Sequence, residues 1–365
     1  MQPHASGTAM DDAELRRRRA DYHREWTTGT DRFFHPKAES CPWCGGKDIG
    51  FRIRLTDTRQ CKPGTFDMDE CASCGHIFQN PMLTGTGLAY YYRDSYDGLG
   101  RDHYGSVAEY SSSAHRRRVR LFDGMPRPGQ WLDVGARHGH FCREARKFLP
   151  GTKFWALDQS PEIVHGQQRG WVDFAGQTPL TEFAERHAGE FDVVSMIHYL
   201  ERTASPQSEL DAARRLLRDG GAVLIESVNP ASRFARLHGR FWYCWMAPQN
   251  LHLIPHRNMC RLLTERGFEV VRVQRGPANK PFDNLAALLT ALNHHLPAAK
   301  SWPWLSRAVR PAERWLRRAV MALASPALGL AFVLDLLLHV PTSRGRGGNT
   351  YRIVAVARLR SDSPW

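Results

Sequence analysis

A chain of 365 residues with 42% hydrophobic and 24% charged residues has room for one large domain with appendages, or for two domains. This composition is typical of a globular protein and argues against a disordered chain. The formal net charge of +13 would suit a nucleic acid, but the arginines are spread along the sequence, so we expect no nucleic-acid partner. Eight cysteines, four of them in two C-x-x-C pairs, favour a metal site in a reducing compartment. We therefore predict a cytoplasmic protein.

The first 35 residues are charged and mostly lack a hydrophobic face. Segments of this kind are usually solvated, so residues 1–35 are predicted to form a polar tail or a frayed helix.

Two C-x-x-C pairs follow, each with a glycine directly after it. A tight turn of this kind aims two thiolates at one point, and two such turns complete a tetrahedral four-sulfur site that suits Zn²⁺. Residues 49–55, between the pairs, alternate in polarity as a strand does. The pattern predicts a zinc ribbon over residues 36–82, with a metal site made of Cys41, Cys44, Cys71 and Cys74.

Residues 83–128 combine a tyrosine-rich stretch at 90–92 with a basic helical stretch around 116–122. Aromatic residues at this density line a pocket or pack elements together, and packing is the favoured interpretation. We predict a helical linker or lid for this segment.

The next stretch, residues 131–141, reads as a strand, a glycine turn and the start of a helix, which is how a nucleotide-binding βαβ unit begins. A second apolar strand ends at Asp158, 23 residues past Gly135, where an acid would bind a ribose diol. Strands then alternate with helices, which predicts a doubly wound sheet. The later predicted strands cover residues 191–197, 222–227, 268–273 and 349–357.

An unusual insert, residues 277–348, precedes the predicted last strand. Residues 319–340 form an apolar run of a length that could span a bilayer, with one acid, Asp335. A single span would separate the last strand from its sheet, so two interpretations stay open. The insert is either a soluble helical lid or an interfacial helical hairpin, which would contact a membrane surface through residues 302–340.

The ordered motifs Asp133-Val134-Gly135, Asp158, Phe191-Asp192-Val193-Val194, His198-Tyr199-Leu200-Glu201 and Leu216–Gly221 resemble those of class I S-adenosylmethionine-dependent methyltransferases. Cys74-Gly75 through Asn80-Pro81, with the tyrosine-rich stretch after it, and Asn229-Pro230 through Phe268 resemble segments of a bacterial subgroup with an N-terminal zinc ribbon. The resemblance implies an α/β fold: a Rossmann-like, doubly wound, seven-stranded methyltransferase sheet with a zinc ribbon before it and a helical insertion before its last strand. The methyltransferase domain would cover residues 129–276 and 349–360.

The resemblance also implies a site for S-adenosylmethionine. Asp133 would fix the amino group of the methionine moiety, and the turn from Gly135 to Gly139 would approach that moiety closely. Asp158 would bind the ribose hydroxyls with Gln159 beside the adenine, and Ile197 and His198 would face the adenosine or the reacting methyl group. Two residues depart from the pattern: Arg137 replaces the middle glycine, and Arg202 stands where the subgroup often has histidine.

Methyl transfer needs orientation of the reactants, and a base if the acceptor must lose a proton. Candidate bases lie beyond strand ends. His252 is the first choice, because its segment falls where an acceptor would approach in a doubly wound fold, and His198 is the second.

We therefore predict a methyltransferase that uses S-adenosylmethionine, with Zn²⁺ in its ribbon. Its acceptor would be a small or lipid-linked metabolite of the sugar, polyketide or glycolipid type, and the enzyme would be cytoplasmic or peripheral on the inner face of the membrane. Two alternatives stay open. One is an RNA methyltransferase, suggested by the ribbon and the positive charge. The other is a non-catalytic binding protein that has kept the fold, suggested by Arg137 and Arg202.

Overall fold

The computed structural model describes residues 12–93, 112–276, 282–344 and 347–358. Residues 1–11 of the predicted polar tail and the last two residues of the predicted methyltransferase domain lie outside these ranges. Within them the helices are α1 (Asp12–Thr27), α2 (Gly85–Tyr92), α3 (Ser112–Val119), α4 (His140–Arg146), α5 (Glu162–Gln168), α6 (Leu180–Arg186), α7 (Pro206–Leu216), α8 (Arg233–His238), α9 (His256–Glu265), α10 (Asp283–His295) and α11 (Pro311–Arg344).

The strands of the described residues are β1 (Ile49–Leu55), β2 (Phe66–Cys71), β3 (Ile77–Gln79), β4 (Gln130–Val134), β5 (Lys153–Leu157), β6 (Phe174–Gly176), β7 (Phe191–Ile197), β8 (Leu217–Val228), β9 (His252–Leu253), β10 (Phe268–Gly276) and β11 (Thr350–Ala357). Short 3₁₀ turns lie at Asp31–Phe33, Arg120–Phe122, Leu200–Arg202, Gly239–Phe241 and Tyr243–Trp245.

Backbone contacts divide the chain into two compact units. In the described residues, the first unit contains 12–93, 233–251 and 282–341, and the second contains 112–232, 252–276 and 342–358.

The second unit is built on a seven-stranded sheet in the order β10-β11-β8-β7-β4-β5-β6, as the sequence predicts. Strands β8, β7, β4, β5 and β6 run parallel, and β11 lies antiparallel between β8 and β10. The central strands are almost wholly buried, which explains their continuous apolar runs. Because β4 pairs with β5 on one side and β7 on the other, the chain switches direction between β4 and β7, where ligands bind in such sheets.

Local signals set the ends of the flanking helices. Pro206 opens α7, where its missing N–H costs no hydrogen bond. Gly267, with a φ of +77°, follows α9 and allows the chain to turn into β10. Aromatic residues fill the core on one face of the sheet, where Trp131 packs against Phe122 and Phe141.

The first unit contains the cysteine pairs and the small antiparallel arrangement of β1, β2 and β3. The insert is helical, as predicted, and forms α10 and α11. The structure adds two details to the sequence prediction. Residues 233–251 group with this unit rather than with the unit that contains the seven-stranded sheet. Residues 12–27 of the predicted tail form α1, whose Tyr22 is buried, donates a hydrogen bond to the carbonyl of Arg93 and packs edge-on against Tyr90.

Candidate functional site

The turn after β4 depends on glycine. Gly135 and Gly139 have φ values of +72° and +78°, in the left-handed region that favours glycine. The amides of Gly135 and Ala136 both donate to the carbonyl of Leu157, at 2.8 and 3.1 Å, so the turn is tied to the end of β5. A Cβ at position 135 would lie 2.8 Å from Cδ2 of Tyr199. Side chains are therefore excluded from this position by both conformation and space.

Arg137, the departure from the glycine pattern, adopts the conformation that a glycine would have. Its φ is +50°, and its amide donates a 2.8 Å hydrogen bond to Oδ2 of Asp158. A non-glycine residue in this region costs roughly 1–2 kcal/mol. The turn therefore keeps its shape at a local cost in stability, and Arg137 is no argument against ligand binding.

Asp158, at the carboxyl end of β5, is held by backbone amides. Oδ2 accepts from Arg137 and Oδ1 accepts from the amide of Ser160, at 2.8 Å in each case. The carboxylate is partly exposed, so each oxygen keeps a lone pair for a hydroxyl group. Gln159 beside it is exposed. The predicted ribose site thus has a fixed acceptor.

Asp133 lies inside β4 and is buried. Its Oδ1 accepts a 2.5 Å hydrogen bond from the hydroxyl of Ser195, which in turn accepts from the indole nitrogen of Trp131 at 2.9 Å. Burial raises the pKa of Asp133 to about 7, although the hydrogen bond from Ser195 opposes this rise. The carboxylate would gain most from a cationic group, and the ammonium of the methionine moiety is such a group.

His198 directly follows Ile197, the last residue of β7, and has a φ of +52°. Its Nδ1 lies 2.8 Å from Oε1 of Glu201 and its Nε2 lies 3.2 Å from Oε1 of Glu226. Burial lowers the pKa of His198, but the hydrogen bonds to these two carboxylates outweigh burial and raise it. Both ring nitrogens therefore face carboxylate oxygens, an arrangement that favours the protonated form of the ring.

Glu226 is the centre of a buried ionic cluster that the sequence does not reveal. Arg118 of α3 donates to both of its oxygens, from Nε at 2.9 Å and from Nη2 at 2.6 Å, and Nε of Arg352 in β11 also donates to it. Burial alone would raise the pKa of Glu226, but the two guanidinium groups hold it well below its usual range. Glu226 pairs with Ile197 across β7 and β8, so the cluster lies at the carboxyl ends of these strands.

His252, the first predicted base, is only 1% exposed in β9. Burial lowers the pKa of His252 to about 4, although hydrogen bonds with the backbone of Ala204 and Thr203 oppose this fall. His252 is thus closed off from solvent, and its role as the base stays a prediction. His198, whose side chain is 26% exposed, is the more accessible of the two candidates.

The four predicted metal ligands come together in the first unit, with all four Sγ atoms within 4.8 Å of one another. The Cys41–Cys74 and Cys44–Cys71 sulfur distances are 3.8 and 3.6 Å. A tetrahedral zinc with bonds of about 2.3 Å requires sulfur separations of about 3.8 Å, so the cluster fits this ion.

The backbone and the thiol chemistry agree with this fit. Gly45 and Gly75, directly after the two pairs, have φ values of +73° and +70°, and their amides donate to the carbonyls of Cys41 and Cys71. Burial raises the pKa of the Cys41 thiol to about 11 and also raises that of Cys74. A bound cation would hold these groups as thiolates. His76 is buried with Nδ1 3.5 Å from the Cys41 sulfur.

Comparison with known proteins gives a family match. The family model described as "Methyltransferase domain" matches residues 107–273. The chain is 26% identical over 175 residues to a ubiquinone biosynthesis O-methyltransferase of Xanthomonas axonopodis, which covers 45% of this chain and 72% of that protein. It is 31% identical over 127 residues to the protein of the same name from Acinetobacter baumannii, covering 33% and 54%.

A third protein of this name, from Sodalis glossinidius, is 29% identical over 128 residues, covering 33% of this chain and 51% of that protein. The chain thus spans about half the length of two of these three relatives. Among solved structures, a SAM dependent methyltransferase from Archaeoglobus fulgidus aligns with a TM-score of 0.43 and 16% identity, over 70% of this chain and 99% of that one.

Proposed function

We propose that this chain, which carries a class I S-adenosylmethionine-dependent methyltransferase domain, transfers the methyl group of S-adenosylmethionine to a hydroxyl group of a small molecule. The observation that supports it most is the buried carboxylate of Asp133 in β4, the strand that leads into the glycine turn, with the amide-held carboxylate of Asp158 at the end of the neighbouring β5. The hydroxyl acceptor is suggested by the name of the relatives, ubiquinone biosynthesis O-methyltransferase.

The residues at the sheet edge have separable roles in this proposal. Asp133 would accept hydrogen bonds from the donor's ammonium, Asp158 would accept from the ribose, and Gly135 and Gly139 would let the backbone come close. Ile197 would contact the adenosine, and Gln159 would lie at the adenine. S-adenosylmethionine supplies an electrophilic methyl group on a sulfonium sulfur. The protein then accelerates transfer mainly by holding the two reactants in line.

His198 is the proposed acceptor-side residue. Its contact with Glu226, at 3.2 Å, is longer than its contact with Glu201, at 2.8 Å. Two arginines already neutralise Glu226, so this longer contact is the one that an acceptor hydroxyl would replace. Replacement of this contact removes one of the two carboxylates that favour the protonated ring. In the neutral ring, with Nδ1–H donated to Glu201, the unprotonated Nε2 would take the proton of the hydroxyl.

Zn²⁺ in the cluster of Cys41, Cys44, Cys71 and Cys74 is proposed to be structural. Four thiolates complete its tetrahedron and leave no open position for a substrate, so the ion would stabilise the first unit without taking part in the reaction. Free cysteines at this spacing also support the proposed cytoplasmic location.

The acceptor is proposed to be a small or lipid-linked metabolite. The relatives' name supports a small molecule, whereas the sugar, polyketide and glycolipid types are proposed from the sequence alone. A lipid-linked acceptor is favoured by the apolar surface of α11, where Leu323, Leu330 and Leu337 are exposed.

Transfer of a labelled methyl group from S-adenosylmethionine into a cell extract, followed by identification of the product, tests the function. His198→Gln is expected to lower the transfer rate about 100-fold with unchanged donor affinity, because only the acceptor side is altered. Asp158→Ala should instead weaken donor binding in calorimetry roughly tenfold, because it removes a ribose acceptor. An absence of donor binding by the wild-type protein would favour the non-catalytic alternative, and labelled RNA would favour the RNA methyltransferase.

A further inference from the structure

Helix α11 is long and apolar without being a core helix. It contains 34 residues, which corresponds to about 51 Å. Its stretch Pro311–Leu338 contains an 18-residue window with a mean hydropathy of 2.0, of which only 11% is buried. A core helix of this composition would be mostly buried. The apolar surface of α11 therefore needs a different environment from that of a protein interior.

The exposed side chains of α11 cover most of its circumference. Leu323, Leu337 and Leu330 are 82%, 68% and 61% exposed, and their neighbours Phe332, Val333, Leu334, Leu336 and Leu338 are exposed as well. A less exposed stripe recurs every three or four residues, at Arg317, Met321, Ala324, Leu328, Ala331 and Asp335. This narrow stripe is the helix face that packs on its own unit, because Arg317 donates to the carbonyl of Pro297 and Asp335 contacts α10.

The only acid between residues 319 and 338 is turned away from the exposed surface. Asp335 is 2% exposed and accepts hydrogen bonds from the amides of Asn284 and Leu285, at 2.9 and 3.0 Å. It therefore caps the start of α10, where a negative charge is favourable. The outward surface of residues 319–338 presents no charged side chain in the part of the helix that the structure describes.

The helix begins with a different surface. Arg310, Arg314 and Arg318 are exposed, and Trp315 is 69% exposed. The acid in this turn, Glu313, is paired with Arg307. Basic residues and tryptophan next to an apolar segment match the headgroup region of a bilayer with anionic lipids.

The strand that follows the helix excludes a membrane span. Only five residues separate Arg344 from β11, and β11 pairs with β8 along its length. Thr350 also pairs with Gly276, the last residue of β10, so the insert leaves and re-enters the sheet at the same place. If α11 crossed a bilayer, β11 would lie on the far side, away from its partner strands.

We propose that α11 binds the protein to the surface of an anionic phospholipid membrane without crossing it. The exposed leucines enter the boundary of the acyl chains, and Arg310, Arg314 and Arg318 lie among the headgroups. This binding does not depend on the methyl-transfer reaction, so the two proposals can fail separately.

Flotation of the purified full-length protein with vesicles tests the proposal. We expect it to float with vesicles of phosphatidylcholine and phosphatidylglycerol and less with phosphatidylcholine alone. Leu330→Glu combined with Leu337→Glu should lower the partition coefficient between vesicles and water about 100-fold, because two leucines that enter the bilayer are lost. Leu237→Glu is the matched control, because Leu237 is 70% exposed in α8, outside the insert, and its substitution should change nothing.

A second pair of substitutions tests the headgroup contact without altering the apolar surface. Arg314→Gln with Arg318→Gln should weaken binding to anionic vesicles about tenfold and leave binding to neutral vesicles unchanged. Circular dichroism and thermal unfolding check that each variant is folded.

Three results would overturn the proposal: wild-type protein that stays unbound, a Leu330/Leu337 variant that floats like wild type, or protein that resists extraction by alkaline carbonate as a spanning protein does. The alternative is that a second copy of the chain covers the apolar surface of α11. Light scattering of the protein without vesicles tests for such a dimer. If the wild-type protein is a dimer that the leucine substitutions dissociate, and if it does not bind vesicles, then the apolar surface of α11 is an interface between two copies of the chain.

Discussion

Two buried carboxylates of the same sheet have opposite electrostatic surroundings. Glu226 on β8 is contacted by Arg118, Arg352 and His198, and its pKa lies well below the usual range. Asp133 on β4 accepts a hydrogen bond from the neutral Ser195, and burial raises its pKa to about 7. The protein itself therefore neutralises one carboxylate and not the other.

The difference indicates which carboxylate serves a ligand. A buried carboxylate that is already paired with two arginines gains little interaction free energy from another cation. A buried acid without a cationic partner, whose pKa burial raises, gains much more. Asp133 also lies at the point where the sheet switches direction, beside the glycine turn. We accordingly propose that Glu226 stabilises the structure and positions His198, whereas Asp133 binds the donor's ammonium.

The largest expected effect is on stability, from Glu226→Gln. The substitution leaves the buried guanidinium groups of Arg118 and Arg352 without their carboxylate. Unfolding in urea should show a loss of about 3–5 kcal/mol. Glu182→Gln is the matched control, because Glu182 pairs with Arg186 at the surface and should cost less than about 1 kcal/mol. Equal losses in the two variants would contradict the assignment of Glu226.

A smaller effect of opposite sign is expected from Asp133→Asn. The folded pKa of Asp133 is raised above its unfolded value, so the stability that its neutral form contributes is present below about pH 4 and lost as the pH rises through about 7. At pH 8 the ligand-free Asn variant should be more stable than wild type, by on the order of 2–4 kcal/mol. Thermal unfolding at several pH values measures this gain, which should vanish in acid. A variant that is less stable than wild type at pH 8 would show that Asp133 is already compensated.

The smallest effect is expected at the glycine turn that connects β4 to α4. Arg137→Gly should relieve the cost of the left-handed φ, but the glycine also makes the unfolded chain more flexible. These effects oppose each other, and we expect a net change below about 1 kcal/mol with unchanged donor affinity. A loss of donor affinity greater than tenfold would mean that the Arg137 side chain itself contacts the ligand.

Features set by neighbouring residues could be predicted from the sequence. The turn at Gly135, the acid at Asp158 and the paired cysteines are short patterns, and the alternation of strands with helices predicts the seven-stranded sheet. The residues that form each of these features lie close together in the sequence. The metal site needs two separate segments, but both carry the same C-x-x-C pattern.

Features set by distant partners could not be predicted. Arg118 and Arg352 reach Glu226 from positions 108 and 126 residues away, and Glu226 lies in an apolar run that reads only as a strand. Tyr22 belongs to a charged segment and is buried through contacts with Tyr90 and Trp304. The depth of His252 likewise depends on packing rather than on its position after a strand.

The role of Asp133 is tested most directly by calorimetry of S-adenosylmethionine binding between about pH 5.5 and 7.5 in buffers of different ionisation enthalpy. Below about pH 7 the wild-type protein should lose affinity as the pH falls, up to about tenfold per pH unit, and release a proton on binding. Asp133→Asn should bind more weakly at pH 7.5 and lose this pH dependence. Equal affinities for the two proteins, or the same pH profile in both, would contradict the assignment of the donor's ammonium to Asp133.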